Sequence, residues 1–261
     1  MIFKNKKNKL LSISIILSVI FSFSLVYLNS REAKAATETI GLVRQDCTGY
    51  SNCFTSLSAW EAAYGGITFG ACAAGDLVCA DKIAVAQIDG AWTNPDTIKV
   101  TIDGWTTDAT HYIKIYTTTE ARHTGKWDTG KYRLEYLAIG GNDWVIDNLE
   151  QYVRIDGLQL FFNLSGGFSS EKGIFNNYGL GTSEIHFSNS IVRKTVGGFA
   201  SGILQFGNNM TLKAWNNIIY DCTTGFNFAY GTHYLYNNTA YNCTTGFSQS
   251  GGGSILLKNN I

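Results

Sequence analysis

One proline in 261 residues, set against 28 glycines, leaves room for many tight turns and none for a rigid proline-rich linker. No low-complexity stretch divides the chain either, so the residues beyond any leader segment read as a single domain large enough to bury a sizeable core. The chain also lacks alanine, leucine and glutamate at a spacing of 3.6 residues, which excludes a helical solenoid. A basic surplus is missing as well: 20 Lys and Arg stand against 20 Asp and Glu. Nucleic acid, which needs a basic surface, is therefore not expected as a partner. Cysteine is scarce, and no pair has the two-residue spacing of a zinc knuckle. Cys47 and Cys53 flank one short loop, Cys72 and Cys79 another, and in an oxidising compartment such close pairs read as local disulfides.

What is present is a repeat. "WNNIIYDCTTGFNF" (Trp215–Phe228) returns as "YNNTAYNCTTGFSQ" (Tyr236–Gln249), with Asn216, Cys222, Gly225 and Phe226 recurring 21 residues later as Asn237, Cys243, Gly246 and Phe247. Upstream, "FSNSIVRKTVGGF" places Asn189, Gly198 and Phe199 27 residues before their counterparts, and the C-terminal "LKNNI" places Asn259 22 residues after Asn237. The period drifts while the Asn-to-Gly spacing of nine holds, which puts the insertions in one loop per turn.

A period of this length, rich in Ile, Val, Tyr, Phe, Thr, Asn and Gly, predicts stacked β-coils. Alternation along Glu184–Asn189 gives each strand an inner and an outer face. One inner column is Val153, Ile185, Leu212, His233 and Ile255; the next is Ile155, Phe187, Ala214, Leu235 and Leu257. A third, aromatic column is Phe168, Phe199, Phe226 and Phe247. Asn189, Asn216, Asn237 and Asn259 form a corner ladder, because Asn tolerates left-handed backbone and its amide bonds the Asn above and below. Cys222 and Cys243 share a position on adjacent coils, either bridged or stacked as thiols.

From about Ile98 to Ile261, these Asn corners, Gly-Phe pairs and alternating strands resemble the right-handed parallel β-helix superfamily, the pectate-lyase-like proteins. The resemblance implies an all-β, right-handed parallel β-helix. It constrains function weakly, since the superfamily includes polysaccharide lyases, hydrolases, esterases, epimerases and non-catalytic surface proteins. The paired-Asp and Gly-His-Gly signatures of its polygalacturonase-like hydrolases are absent. "DWVIDN" echoes the Trp-Ile-Asp-His stretch of pectate lyases without its His, so no catalytic residue carries over.

Residues 1–35 read as a signal peptide: Lys4, Lys6, Lys7 and Lys9, an apolar run Leu10–Leu28, then Ala33-Lys34-Ala35. An uncleaved anchor is the alternative; after cleavage no membrane contact is expected, and the protein is secreted or at the cell surface. Cleavage removes six basic residues and one acid, leaving 14 against 19, a net charge of about −5. Residues 36–95 show no repeat and read as an N-terminal cap, with a helix Ala59–Tyr64 started by the capping box Ser58-Ala59-Trp60-Glu61 and ended by Gly65. Residues 96–261 are the β-helix, which stops at Asn259-Asn260-Ile261 in mid-coil and so reads as truncated. The charged loop Thr117–Lys131 reads as a solvated turn. Sequons at Asn163, Asn209, Asn237 and Asn242 look like glycosylation signals, but two of them lie in the repeated Asn and Thr positions, where corner-turn chemistry explains them without any sugar.

Alternation also sets the outer face: Arg154 and Asp156, His186 and Ser188, Lys213 and Trp215, Tyr234 and Tyr236, Leu256 and Lys258. Rings stack on the apolar faces of sugars while charged groups meet hydroxyls or uronate carboxylates. Trp215, Tyr234, Tyr236 and Lys213 are therefore the candidate carbohydrate-binding residues. Arg154, Asp156 and His186 are candidates for stabiliser, acid and base, although their spacing does not demand catalysis. Asp103-Gly104 and Asp108 are candidate calcium ligands or plain turn residues. The expectation is an exported β-helix that binds or presents to extracellular polysaccharide. A polysaccharide lyase or glycoside hydrolase, and a non-binding structural or adhesin-like surface protein, are the alternatives.

Overall fold

Alternating apolar and polar residues build strands that bury one face, and here they do so in stacked coils. The computed structural model describes residues 35–138, 143–164, 173–178, 181–195, 198–207 and 209–261; the leader and Phe168 lie outside them. Residues 36–261 form one compact unit.

The chain begins with β1 (Thr37–Val43), β2 (Cys53–Phe54), α1 (Leu57–Tyr64), α2 (Leu77–Ala80), β3 (Lys82–Ile88) and β4 (Val100–Ile102). Three strands per coil follow: β5 (Ile113–Thr117), β6 (Leu134–Ala138), β7 (Ile146–Asn148); then β8 (Tyr152–Asp156), β9 (Gln159–Leu164), β10 (Gly173–Asn177). The next two coils are β11 (Ser183–Ser188), β12 (Ile191–Lys194), β13 (Ser201–Gln205) and β14 (Met210–Trp215), β15 (Ile218–Tyr220), β16 (Thr224–Phe228). Last come β17 (Gly231–Tyr236), β18 (Thr239–Tyr241), β19 (Thr245–Gln249) and β20 (Gly253–Lys258). Among the described residues these make a nine-stranded sheet (β2-β1-β3-β5-β8-β11-β14-β17-β20), a six-stranded sheet (β19-β16-β13-β10-β7-β4) and a five-stranded sheet (β18-β15-β12-β9-β6). All the strand pairs are parallel, the arrangement of a parallel β-solenoid.

The first two inner columns stand in register. Ile185 pairs with Val153 and Leu212, Leu212 with His233, and His233 with Ile255. Phe187, Ala214, Leu235 and Leu257 follow in the same way. The aromatic column needs correction at Phe199, which is 58% exposed and lies in the loop before β13. Phe226 pairs with Ile203 and Phe247, and its ring stacks on Phe247 at 5.1 Å. The turn from β12 to β13 is longer than its successors, so Gly198-Phe199 imitates the repeat while Gly202-Ile203 occupies it. The Asn-to-Gly spacing of nine therefore breaks in that coil. Glycine is required there because stacked backbones come too close for a side chain: a Cβ on Gly202 would lie 2.7 Å from the Gly225 carbonyl oxygen.

The Asn corner is as expected. Asn189, Asn216, Asn237 and Asn259 have φ of 49°, 57°, 54° and 54°, and their amides are linked at 3.1, 3.3 and 3.2 Å. Both predicted disulfides, Cys47–Cys53 and Cys72–Cys79, are formed, while Cys222 and Cys243 are free thiols.

Two features of the N-terminal region differ from expectation. The nine-stranded sheet already begins at β1 and β2, within residues 36–95, because Gly41 lets β1 pass close to the indole of Trp60. The helix starts earlier than Ala59: Ser56, not Ser58, is its N-cap, accepting the Ala59 N–H at 3.0 Å, while Asp96 accepts that of Leu57 at 2.8 Å. Glu61 does not close a capping box; it accepts from the Asp103 N–H and the Trp105 indole, each at 3.2 Å.

Candidate functional site

The outer face of the nine-stranded sheet carries every candidate carbohydrate-binding and catalytic residue named above. Lys114, Arg154, His186, Lys213 and Tyr234 form one outward column, strand by strand from β5 to β17. Tyr116, Asp156, Ser188, Trp215 and Tyr236 form the next. At one end of these columns a groove of about 470 Å³ opens, lined by Tyr112, Tyr116, Arg154, Asp156, His186 and Trp215 among others. Lys213, Tyr234 and Tyr236 continue the same face beyond it.

Each charged group in the groove has a distinct setting. The Arg154 guanidinium sits over the Tyr112 ring, 3.4 Å from its centre, and its one hydrogen bond among the described residues goes to the Ala109 carbonyl at 3.4 Å. No ion pair joins it to a carboxylate among the described residues. Asp156 is saturated: it pairs with Arg122 and accepts from Ser188 Oγ at 2.8 Å and from Asn189 Nδ2. Burial alone would raise its carboxyl, but hydrogen bonds from Asn189, Arg122 and Ser188 outweigh that and hold it below the ordinary carboxylate value. A carboxyl so placed is ionised at neutral pH and serves as an acceptor.

His186 bonds Glu184 through Nε2 at 2.7 Å, and Glu184 also pairs with Lys213 at 2.6 Å. Burial works against ionisation of Glu184, yet Lys213 and His186 keep its carboxyl low. The ionised carboxylate can only accept, so the Nε2 of His186 carries the proton and Nδ1 is the basic nitrogen. Burial, helped by Arg154 and Lys213, lowers the imidazole despite Glu184, so it is neutral at pH 7. Its ring meets Trp215 edge-on at 5.5 Å.

Sequence reasoning placed Glu184 at the edge of the face without its bonds to His186 and Lys213, and missed the part of Arg122 and the Tyr112–Tyr116 wall. The wall was open to view, since alternation in "YIKIYT" places Tyr112, Lys114 and Tyr116 outward. Arg122 was not, because the Thr117–Lys131 loop turns back onto the sheet: Arg122 Nε donates to the Thr117 carbonyl at 3.2 Å while its guanidinium reaches Asp156. Trp127 of that loop packs edge-on against Phe161, 6.0 Å between ring centres. Asp103 and Asp108 sit in separate turns, accepting backbone N–H groups of Gly104 and of Thr110 and His111 respectively. Comparison with protein-family models, with curated proteins and with solved structures finds no match.

Proposed function

We propose that this chain is an exported, right-handed β-helix protein that binds an acidic extracellular polysaccharide along the outer face of its nine-stranded sheet. The observation that carries the reading is Arg154: a cation stacked on Tyr112, without a carboxylate partner among the described residues, in a groove shared with Trp215. A guanidinium held over an aromatic ring presents a planar fork to a sugar carboxylate, and an indole beside it takes the apolar face of the ring. Lys213, Tyr234 and Tyr236 extend the track for further sugar units.

A second reading is favoured by the Glu184–His186 bond. A neutral imidazole with its tautomer fixed by a carboxylate is a general base, and Arg154, its neighbour across the strands, would stabilise charge developing on a uronate. Cleavage of the bound polysaccharide would then be a β-elimination or a hydrolysis.

Titration of the folded protein with a polyuronate and with a neutral glucan, by calorimetry, tests the binding. Selective binding of the polyuronate is expected, with Arg154→Gln weakening it by about tenfold or more through loss of a charge-assisted hydrogen bond, and Trp215→Ala by about tenfold through loss of stacking on the sugar face. Unchanged affinity in both variants, or no binding by the parent, sinks the proposal. In the same samples, release of unsaturated or reducing ends that His186→Gln abolishes without loss of binding would establish the catalytic reading; their absence in the parent would dismiss it.

A further inference from the structure

Cys222 and Cys243 face each other across the corner between the five-stranded and six-stranded sheets. Tyr220 pairs with Tyr241 just before them and Thr224 with Thr245 just after, so the two cysteines occupy one register position on successive coils. Parallel neighbours are one strand spacing apart, about 4.8 Å. That lies inside the Cα separation of about 4.4–6.8 Å from which a disulfide closes. Both are thiols; the Cys222 sulfur lies 3.5 Å from the Tyr220 carbonyl, and the Cys243 sulfur 3.5 Å from that of Tyr241 and 3.9 Å from that of Ile219.

Their surroundings are unequal. Cys222 is 3% exposed and lines the wall of a cavity of about 290 Å³ together with Lys194, Asp221 and Thr244. Cys243 is only half-buried, with a route to solvent. The Cys222 side chain next to it favours the Cys243 thiolate, bringing its pKa down to about 7 against burial and the Asp221 carboxylate, with a small contribution from Lys194. The neighbouring Cys243 and burial push the Cys222 thiol well up. One sulfur is therefore an accessible nucleophile, and the other waits behind it as a protonated partner.

We propose that these residues form a redox-active dithiol, in which Cys243 takes up a low-molecular-weight disulfide by exchange and Cys222 resolves the adduct into a disulfide joining two coils. The Cys243 sulfur attacks one sulfur of the small disulfide, whose S–S bond breaks; one small thiolate leaves and takes up a proton. Cys222 then gives up its proton, attacks the Cys243 sulfur and expels the second small thiol. Two protein thiols are oxidised, and one small disulfide is reduced to two thiols. The existing bridges, Cys47–Cys53 and Cys72–Cys79, are already oxidised and take no part.

The full chain treated with oxidised glutathione, quenched with an alkylating reagent and weighed intact by mass spectrometry, tests this. The parent is expected to lose both titratable thiols, release two equivalents of glutathione and retain no adduct, at a rate that rises with pH through about 7. Cys222→Ser should stop at one glutathione adduct, and Cys243→Ser should remain unmodified. Peptide mapping of the parent quenched early provides a check independent of how the variants fold: the transient adduct belongs on Cys243. A stable adduct on the parent, two surviving thiols after prolonged treatment, or an early adduct on Cys222 would overturn the proposal.

Discussion

Every non-glycine residue described in the left-handed region is an Asn or an Asp: Asn52, Asp81, Asn189, Asn209, Asn216, Asp221, Asn237, Asn242 and Asn259. Short side chains that bond to nearby backbone make that conformation tolerable. At the main corner the pattern doubles. The exposed ladder Asn189–Asn216–Asn237–Asn259 runs beside a buried one, Asn217–Asn238–Asn260. Asn238 is wholly buried; it donates to the Ala214 carbonyl and to Asn260 at 3.0 Å each, and accepts from Asn217. Removing it strands several buried partners, whereas its neighbour faces solvent. Asn238→Ala is expected to cost about 2–4 kcal/mol in urea unfolding, and Asn237→Gly no more than about 0.5 kcal/mol. Equal losses would show that the buried ladder is not what fixes the corner. The repeated "NN" made the outer ladder legible in the sequence. The role of the second Asn stayed hidden, because its amide bonds a carbonyl of the preceding coil, and neighbours across coils are not written in local spacing.

At the scale of strands and loops, alternation set which side chains point in and which point out: all ten residues of the two main inner columns stand in register, eight of them buried, while on the last strand Ile255 is half-buried and Leu257 is exposed. Pattern matching failed where a loop imitates a strand. Phe199 follows two glycines as Phe226 follows one, but only Phe226 is fully buried, packed on Phe247 and near Phe228. Truncating the two separates sequence resemblance from packing. Phe226→Ala is expected to lose about 3–5 kcal/mol and Phe199→Ala to stay within about 0.5 kcal/mol, read from urea midpoints at constant m-value. A large loss for Phe199→Ala would restore it to the core. The site follows the same division: residues on strands were legible by parity, while Arg122 arrives from a loop whose path depends on its own contacts with Thr117 and Asp156.

Across the whole molecule, two buried groups pull stability in opposite directions as pH changes. Burial raises the Glu150 carboxyl from 4.5 to about 7 despite N–H groups of Trp105 and Gly104, with Asp103 and Glu61 adding like charge. The folded state holds this proton more tightly than the unfolded chain, so its contribution is full below pH 4.5 and is lost as pH rises through about 7. His233 behaves the other way: burial lowers it from 6.5 to about 4 despite the Tyr230 carbonyl. The unfolded chain binds that proton first, so stability is lost as pH falls from 6.5 through about 4. Between these limits the two slopes oppose each other. Glu150→Gln should make stability climb more steeply with pH, and His233→Leu, which continues the apolar column of Leu212 and Ile255, should make it decline. Urea midpoints of the parent and both variants, from about pH 4 to about pH 8, provide the check. Variants that keep the parental profile would show that neither group controls it.

The near-identity of successive coils has a consequence for how such a chain changes length. Asn216 and Asn237 stand 21 residues apart with the same backbone angle, the same ladder bonds and the same neighbours. Excising the segment from Asn216 through Tyr236 would join Trp215 to Asn237 in the arrangement Trp215 already has with Asn216, and duplicating it would add a coil just as smoothly. The proposed binding track on the outer face is thus a ruler whose divisions are whole coils, and one in-frame copying error lengthens or shortens it without disturbing Arg154, His186 or Trp215.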